Sequence, residues 1–108
     1  MISLLKDHRD EIAALCKQYG IVRLEVFGSA ARGDFDPKTS DIDLIVDVGG
    51  YEPGVAHRFF DFADALEALL GHSVDLMTES QIQNPYFRRS VNGARELVYE
   101  SGNREAVA

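Results

Sequence analysis

The stretch IVRLEVFGSAARGD (residues 21–34), followed by SDIDLIVDV (residues 40–48), decides the fold of this chain. Alternating β-branched and aromatic residues predict a strand that runs into the turn Gly28-Ser29. The same alternation predicts a second strand over residues 40–48, in which Asp41 and Asp43 point to one side and the apolar residues between them to the other. The two strands therefore predict a sheet with one apolar face and one face that carries carboxylates.

A third aspartate lies in a segment with the same pattern. HSVDLM (residues 72–77) predicts a short strand in which Asp75 faces away from its apolar neighbours. Three carboxylates held close together repel one another unless a cation neutralises them. Because hard oxygen ligands suit Mg²⁺ or Mn²⁺, the sequence predicts a divalent metal site formed by Asp41, Asp43 and Asp75.

The remaining elements come from helical periodicity and from helix and turn signals. Two long amphipathic helices are expected, each ended by a glycine. The predicted elements are a five-turn helix over residues 2–19 with Ser3 as N-cap, a short helical turn over residues 30–32, a helix over Val55–Leu70, a short helix from Pro85 to residue 89 or 90, a turn at Asn92-Gly93 and a last strand over residues 96–99. This order predicts an α/β (α+β) fold: a small mixed β-sheet, with the long helices packed on one face and the aspartates on the other.

Size and composition exclude several classes of protein. The 108 residues predict a single domain over residues 1–100 and a tail over residues 101–108 that frays. A formal net charge of −7 argues against strong nucleic-acid binding. With no long apolar run and no signal-peptide pattern, we expect a cytoplasmic protein without a membrane span. The lone Cys16 is expected to be a packing residue on the inner face of a helix.

The motifs together resemble a known family. GSAARGD at residues 28–34, SDIDL at residues 40–44 and Val74-Asp75-Leu76 are similar to the signature of the minimal nucleotidyltransferases, which belong to the DNA polymerase β superfamily. The resemblance covers nearly the whole chain, and the spacing from Ser29 to Asp41 is one residue longer than is usual. It implies a polymerase β palm-like fold, with residues 1–100 as one minimal nucleotidyltransferase domain.

The resemblance also implies an activity and a set of site residues. The reaction is transfer of a nucleoside monophosphate from a nucleoside triphosphate to an acceptor hydroxyl, with pyrophosphate leaving. Gly28 would let the backbone approach the triphosphate, and Ser29 would donate its hydroxyl to a phosphate. Arg32 would contact a phosphate or the acceptor, although a surface pair with Asp34 accounts for it equally well.

The resemblance further implies that the three aspartates bind the metal ions. Asp41 and Asp43 would hold two Mg²⁺ ions, with Mn²⁺ as a substitute. Asp75 would complete the shell of the second ion and accept the proton of the attacking hydroxyl.

Small members of this family are typically the antitoxins of HEPN/MNT toxin-antitoxin pairs. There they transfer AMP from ATP to a tyrosine hydroxyl of a HEPN-domain toxin. Because 108 residues leave no room for a separate acceptor domain, the first hypothesis is a protein adenylyltransferase antitoxin that uses ATP and Mg²⁺ and acts on a HEPN-domain partner.

Two other hypotheses stay open. One is an antitoxin without catalysis that binds and occludes its partner. The other is a nucleotidyltransferase that acts on a small-molecule hydroxyl, such as that of an aminoglycoside, with the acceptor site at the interface of a homodimer. Separately, Tyr86-Phe87 with Arg88-Arg89 are either a partner-binding patch or an ordinary helix surface.

Overall fold

A four-stranded sheet lies at the centre of the computed structural model, which describes residues 1–101. The strand order is β3-β2-β1-β4. β1 pairs antiparallel with both β2 and β4, and β2 pairs parallel with β3, so the predicted mixed sheet is confirmed. The strands are β1 Arg23–Phe27, β2 Ile42–Asp47, β3 Val74–Met77 and β4 Glu96–Glu100.

In the part of the chain that the structure describes, five α-helices and one 3₁₀ helix connect and cover the strands, which confirms the α+β class. The longest helix has the bounds that its periodicity predicts and ends at Gly71. Within residues 1–101, no helix is both long and apolar enough to cross a membrane. The helices are α1 Ser3–Asp7, α2 Arg9–Gln18, α3 Gly28–Arg32, α4 Val55–Leu70, α5 Pro85–Gly93 and the 3₁₀ helix Glu79–Gln81.

The main core lies between one face of the sheet and the two long helices, α2 and α4. Cys16 is fully buried there, and burial raises the pKa of its thiol to about 12, as expected for a packing residue. Phe62 of α4 is also fully buried and its ring packs against Tyr19. Buried residues from the central strands complete this core: Leu24, Val26, Ile42, Leu44 and Val46.

The opposite face of the sheet is only partly open. A small second cluster forms where Ile82 and Val91 pack against Phe27 and Ile45. These two covering residues come from the 3₁₀ helix region and from α5. The sheet face that carries the aspartates is therefore divided into a covered apolar part and an open carboxylate part.

The prediction of one long N-terminal helix is wrong. The chain forms α1 and α2, with His8 in a non-helical conformation between them, and the N-cap of α1 is Ile2 and not Ser3. The backbone N–H of Ile2 donates to the carbonyl of Ala30 in α3, at 2.9 Å. This long-range bond fixes the start of the chain, and apolar periodicity holds no signal for it.

The predicted turn at Asn92-Gly93 is also wrong. Both residues lie inside α5, and Gly93 does not adopt a positive φ. Buried Val91 holds this end of the helix against the second cluster, and the side chain of Asn92 accepts a hydrogen bond from Arg95. Tertiary contacts thus extend the helix past residues that locally favour a turn.

The C-terminal end of the described chain is fixed to the sheet. The N–H of Ser101 donates to the carbonyl of Val22 at 2.8 Å. The rest of the predicted frayed tail, residues 102–108, lies outside the described residues.

A buried ion pair ties β1 to the elements that cover the second cluster. Glu25 accepts hydrogen bonds from Arg95 Nε at 3.0 Å and Nη2 at 2.7 Å, and its side chain also pairs with Arg23. Burial by itself raises the pKa of Glu25, but the bonds from Arg95 and Arg23 outweigh it and leave the pKa below its usual value. Arg95 also pairs with Glu79 in the 3₁₀ helix.

We expect Arg95→Met to lower the free energy of unfolding by about 2 kcal/mol at pH 7, because it leaves the buried Glu25 carboxylate with only Arg23. Glu25 has a lowered pKa in the folded state, so its ionised form adds stability above pH 4.5, and this contribution is lost as the pH falls. Urea unfolding at several pH values measures the difference.

The matched control is Arg9→Met, which removes an exposed arginine whose guanidinium donates to the carbonyl of Leu97. That change should cost less than about 0.5 kcal/mol. A loss for Arg95→Met as small as that of the control would contradict a structural role for the pair.

Candidate active site

The end of β1 passes directly into α3 beside the carboxylate of Asp43. Gly28, the first residue of α3, has φ of 67°. A Cβ atom at this position would stand 2.6 Å from Oδ2 of Asp43, which is closer than real Cβ contacts allow. Glycine is therefore required here both by the positive φ and by the approach of the carboxylate.

Asp43 occupies the centre of the open part of the sheet. It pairs in register with Phe27 on β1 and with Asp75 on β3. Because neighbouring strands are about 4.8 Å apart and paired residues share a face, Asp43 and Asp75 stand side by side. Asp43 is half-buried, whereas Asp75 and Asp41 are exposed.

The charges of Asp75 and Asp41 both act on the carboxylate of Asp43. Burial, followed by the charges of Asp75 and Asp41, raises its pKa from 3.8 to about 6, although the charge of Arg32 acts in the opposite direction. Ionisation of Asp43 is thus less favourable in the folded protein than in a free aspartate side chain. A cation at this place would favour the ionised form.

Asp41 lies one residue before β2, whereas the sequence predicts it within the strand. Its position follows from the preceding loop, where the N–H of Ser40 donates to the carbonyl of Asp36 at 2.8 Å. The loop is attached to the start of β3 because the ring of His72 bonds to the carbonyl of Pro37. The loop that carries the additional residue of the motif is therefore held in place beside the aspartates.

Ser29 and Arg32 lie at the two ends of α3. Ser29 is half-buried, and the N-cap residue of this helix, Phe27, makes no side-chain hydrogen bond to it. Arg32 lies 3.4 Å from a carboxylate oxygen of Asp34, so the surface pair that the sequence left open is present. A contact of Arg32 with phosphate stays a prediction.

The donor set fits a hard divalent cation in its chemistry. Asp41, Asp43 and Asp75 have no ion-pair partner within the 101 described residues, and burial together with the two neighbouring charges raises the pKa of Asp43. As the side chains stand, however, no three His, Cys, Asp or Glu residues in that part of the chain are placed to hold a metal ion. The carboxylates would have to turn toward a common centre.

Two further residues near this face of the sheet, Asp47 and Phe87, have partners in the fold. Asp47, at the end of β2, is exposed and accepts a hydrogen bond from the N–H of Gly49. The ring of Phe87 packs against Phe27, a contact that the sequence does not predict. The sequence does predict the start of its helix, from the cap and first residue Asn84-Pro85.

Sequence comparisons assign the family. A model of the nucleotidyltransferase domain matches residues 9–98. A Methanocaldococcus jannaschii relative named "Putative protein adenylyltransferase" is 37% identical over 99 residues, which cover 91% of this chain and 96% of the relative. The protein adenylyltransferase MntA of Thermococcus cleftensis is 33% identical over 97 residues, which cover 90% of this chain and 89% of MntA.

Solved structures agree with this assignment. A structure described as a "putative minimal nucleotidyltransferase" is 35% identical, superimposes with a TM-score of 0.65 and covers 89% of this chain and 94% of its own. A chain from the complex of a tri-AMPylated Shewanella oneidensis HEPN toxin with an MNT antitoxin is 16% identical, has a TM-score of 0.58 and covers 95% of this chain and 78% of its own. At that identity it shows the fold alone. The family match and the shared fold establish that this chain belongs to the nucleotidyltransferase domain family and is a nucleotidyltransferase of the minimal type.

Proposed function

We propose that this nucleotidyltransferase transfers AMP from ATP to a hydroxyl on a partner protein, and that it is the antitoxin of a HEPN-domain toxin. The observation that carries the proposal is the contact between Gly28 and Asp43, with Asp75 in register beside them. It joins a turn that can approach a phosphate to a cluster of carboxylates. The names of the relatives support the protein acceptor, and the Shewanella oneidensis complex supports the HEPN-domain partner.

In the proposed reaction, the acceptor oxygen forms a bond to the α-phosphorus of ATP while the bond from that phosphorus to the leaving pyrophosphate breaks. Gly28 admits the triphosphate close to the backbone, and Ser29 donates its hydroxyl to a phosphate oxygen. Arg32 adds a positive charge at the end of α3. Asp75, which is exposed, accepts the proton that the acceptor hydroxyl releases.

Asp41, Asp43 and Asp75 are the residues that would hold Mg²⁺, with two ions expected and Mn²⁺ as a substitute. When bound, these ions would neutralise the triphosphate and lower the pKa of the acceptor hydroxyl. Little covalent help is needed from the protein in phosphoryl transfer, so positioning and charge are the work of the site.

A protein acceptor fits the open geometry of the site. Two of the three carboxylates, Asp41 and Asp75, are exposed to solvent, so a hydroxyl on the surface of another molecule can reach them. An antitoxin that only occluded its partner would gain nothing from Asp43, whose ionised form is held at a cost. A cytoplasmic location, a homodimer and the absence of strong nucleic-acid binding remain predictions of the sequence.

Incubation with α-labelled ATP, Mg²⁺ and the co-expressed partner protein tests the proposal. We expect label on the partner, in the form of AMP attached to a tyrosine. Label on an added aminoglycoside and not on the partner would assign a small-molecule acceptor. A tight complex without any label would assign the occluding antitoxin, and either of these results would overturn the proposal.

The double change Asp41→Asn with Asp43→Asn should abolish AMP transfer and stabilise the fold. A rise of the Asp43 pKa from 3.8 to about 6 corresponds to at most about 3 kcal/mol, and solvent screening of this half-buried side chain reduces it to about 1 kcal/mol. A carboxyl whose pKa is raised in the folded state lowers the stability of the fold at pH values above that pKa, where it is ionised. The gain in stability from the double change should therefore be full at pH 7 and vanish near pH 4.

Thermal unfolding in the presence of a chelator measures this gain, and transfer is measured with Mg²⁺. Asp47→Asn is the control, since Asp47 is an exposed carboxylate at the other end of the same strand and accepts a hydrogen bond from the N–H of Gly49. AMP transfer by the double variant would show that the two carboxylates do not carry the reaction.

Gly28→Ala should weaken ATP binding by more than about tenfold, because the new Cβ displaces the Asp43 carboxylate and narrows the approach to the backbone. Gly71→Ala is the matched control: φ there is 63°, close to the 67° of Gly28, and a Cβ added at Gly71 would meet no atom within 4 Å.

The two changes carry similar backbone strain, which costs about 1 kcal/mol of stability in each, and Gly28→Ala also has to displace the Asp43 carboxylate. Calorimetric titration with ATP separates them, because only Gly28→Ala should lose affinity. Equal ATP affinities in the two variants would rule out a role for the Gly28 turn in nucleotide binding.

A further inference from the structure

An aromatic ring stands at the border of the carboxylate site. Phe87 of α5 packs edge-on against Phe27, with ring centroids 6.0 Å apart and an interplanar angle of 76°. Phe27 is buried and pairs in register with Asp43. Phe87 itself is 41% exposed, although it is a large apolar residue. The central carboxylate therefore has a charged neighbour, Asp75, on one side and an aromatic pair on the other.

The position of Phe87 is fixed by its helix. Asn84 caps α5 by accepting hydrogen bonds from the N–H groups of Tyr86 at 2.8 Å and Phe87 at 3.3 Å. Arg88 donates to the carbonyl of Ile82 at 2.7 Å, and Val91 is buried in the second cluster. The exposed ring is thus held in place before any ligand arrives, and a preorganised surface loses little freedom on binding.

The two sides of Asp43 match the two ends of a nucleotide. A triphosphate is strongly anionic and requires the cations that the carboxylates would hold, whereas a nucleobase is a flat ring with a π-face that stacks on aromatic side chains. Gly28, which would approach the phosphates, directly follows Phe27 in the chain. If the phosphates lie at Gly28 and the nucleoside extends from them across β1, the base therefore lies at the exposed ring of Phe87.

We propose that Phe87, supported by Phe27, is the surface on which the base of the bound nucleoside triphosphate stacks. This inference rests on the proposed function, because it takes the nucleotide to be bound at Gly28 and the aspartates. It assigns a nucleotide-binding residue to α5. A stacking surface accepts any base, so it holds the nucleoside in place for the attack at the α-phosphorus without a hydrogen-bonded code.

Another exposed phenylalanine provides a matched control. Phe60 of α4 is 64% exposed and lines a separate apolar cavity of about 300 Å³ with Tyr51 and Val48. This cavity is near the end of β2, whereas Asp43 is near its start. Substitutions at Phe60 thus change an exposed ring of the same type outside the carboxylate site.

The sequence contains no tryptophan, so Phe87→Trp introduces a single tryptophan at the proposed stacking surface, and red-edge excitation selects it over the four tyrosines. We expect ATP with Mg²⁺ to quench its fluorescence in a saturable manner, while inorganic tripolyphosphate with Mg²⁺ does not. Phe60→Trp, measured in the same way, should respond to neither. Equal responses to ATP and tripolyphosphate in Phe87→Trp would overturn the proposal, as would quenching that Phe60→Trp shares.

Direct titration of Phe87→Ala gives a second test. ATP affinity should fall roughly tenfold, the size expected for the loss of one stacked base, while tripolyphosphate affinity stays within about twofold. Phe60→Ala should leave both affinities unchanged. Unchanged ATP affinity in Phe87→Ala, with partner modification lost, would assign the ring to the partner protein and reject the base. If Phe87→Ala fails to fold, the fluorescence result decides.

AMP transfer by the unmodified chain separates this inference from the proposed function. Transfer by the unmodified chain, together with unchanged ATP affinity in Phe87→Ala, rejects the stacking surface alone. ATP-specific quenching in Phe87→Trp without any AMP transfer by the unmodified chain rejects the proposed function and supports the stacking surface. An unmodified chain that binds no ATP overturns both.

Discussion

The close approach of Gly28 to the carboxylate of Asp43 is the constraint on which the open face of the sheet depends. No side chain fits between the two, because a Cβ atom would stand 2.6 Å from a carboxylate oxygen. β1 can therefore end, and α3 can begin, beside a charged group that neighbours Asp75 in register. The backbone turn and the carboxylates thus share one small volume, which is where a phosphate and its cations would meet.

This arrangement is unfavourable by itself, and the rest of the fold compensates for it. The ionised Asp43 is opposed by burial and by two like charges, so its pKa rises to about 6. Stability comes from the other face, where fully buried residues such as Leu24, Leu44 and Phe62 form the main core. The Glu25–Arg95 pair and the second cluster then fix α5 over the remaining part of the carboxylate face. The core and the site are separated by one layer of sheet.

The sequence predicts those parts of this design that have a period. Alternation places Asp43 and Asp75 opposite apolar neighbours, and the helical stripe gives the bounds of α4. Sequence alone fails where a distant contact decides the outcome. The bond from Ile2 to Ala30 accompanies the break at His8, and burial of Val91 carries α5 through Asn92-Gly93. The register of Asp43 with Asp75 is likewise a pairing of two strands, which no local pattern encodes.

The division of the open face also explains how one small domain could distinguish the parts of a nucleotide. Across three neighbouring strands, the residues in register are Asp75, Asp43 and Phe27, so polarity changes from anionic to aromatic along the sheet. A ligand that contacts both the carboxylates and the aromatic ring must combine two parts. One is an anionic part that binds the carboxylates through cations, and the other is a flat apolar part. Inorganic phosphates satisfy only the first and aromatic compounds only the second. Since binding free energies from two linked contacts combine within one molecule, the sheet would favour a nucleoside triphosphate over either fragment. In the proposed reaction, the exposed side at Asp75 would then be left for the acceptor hydroxyl.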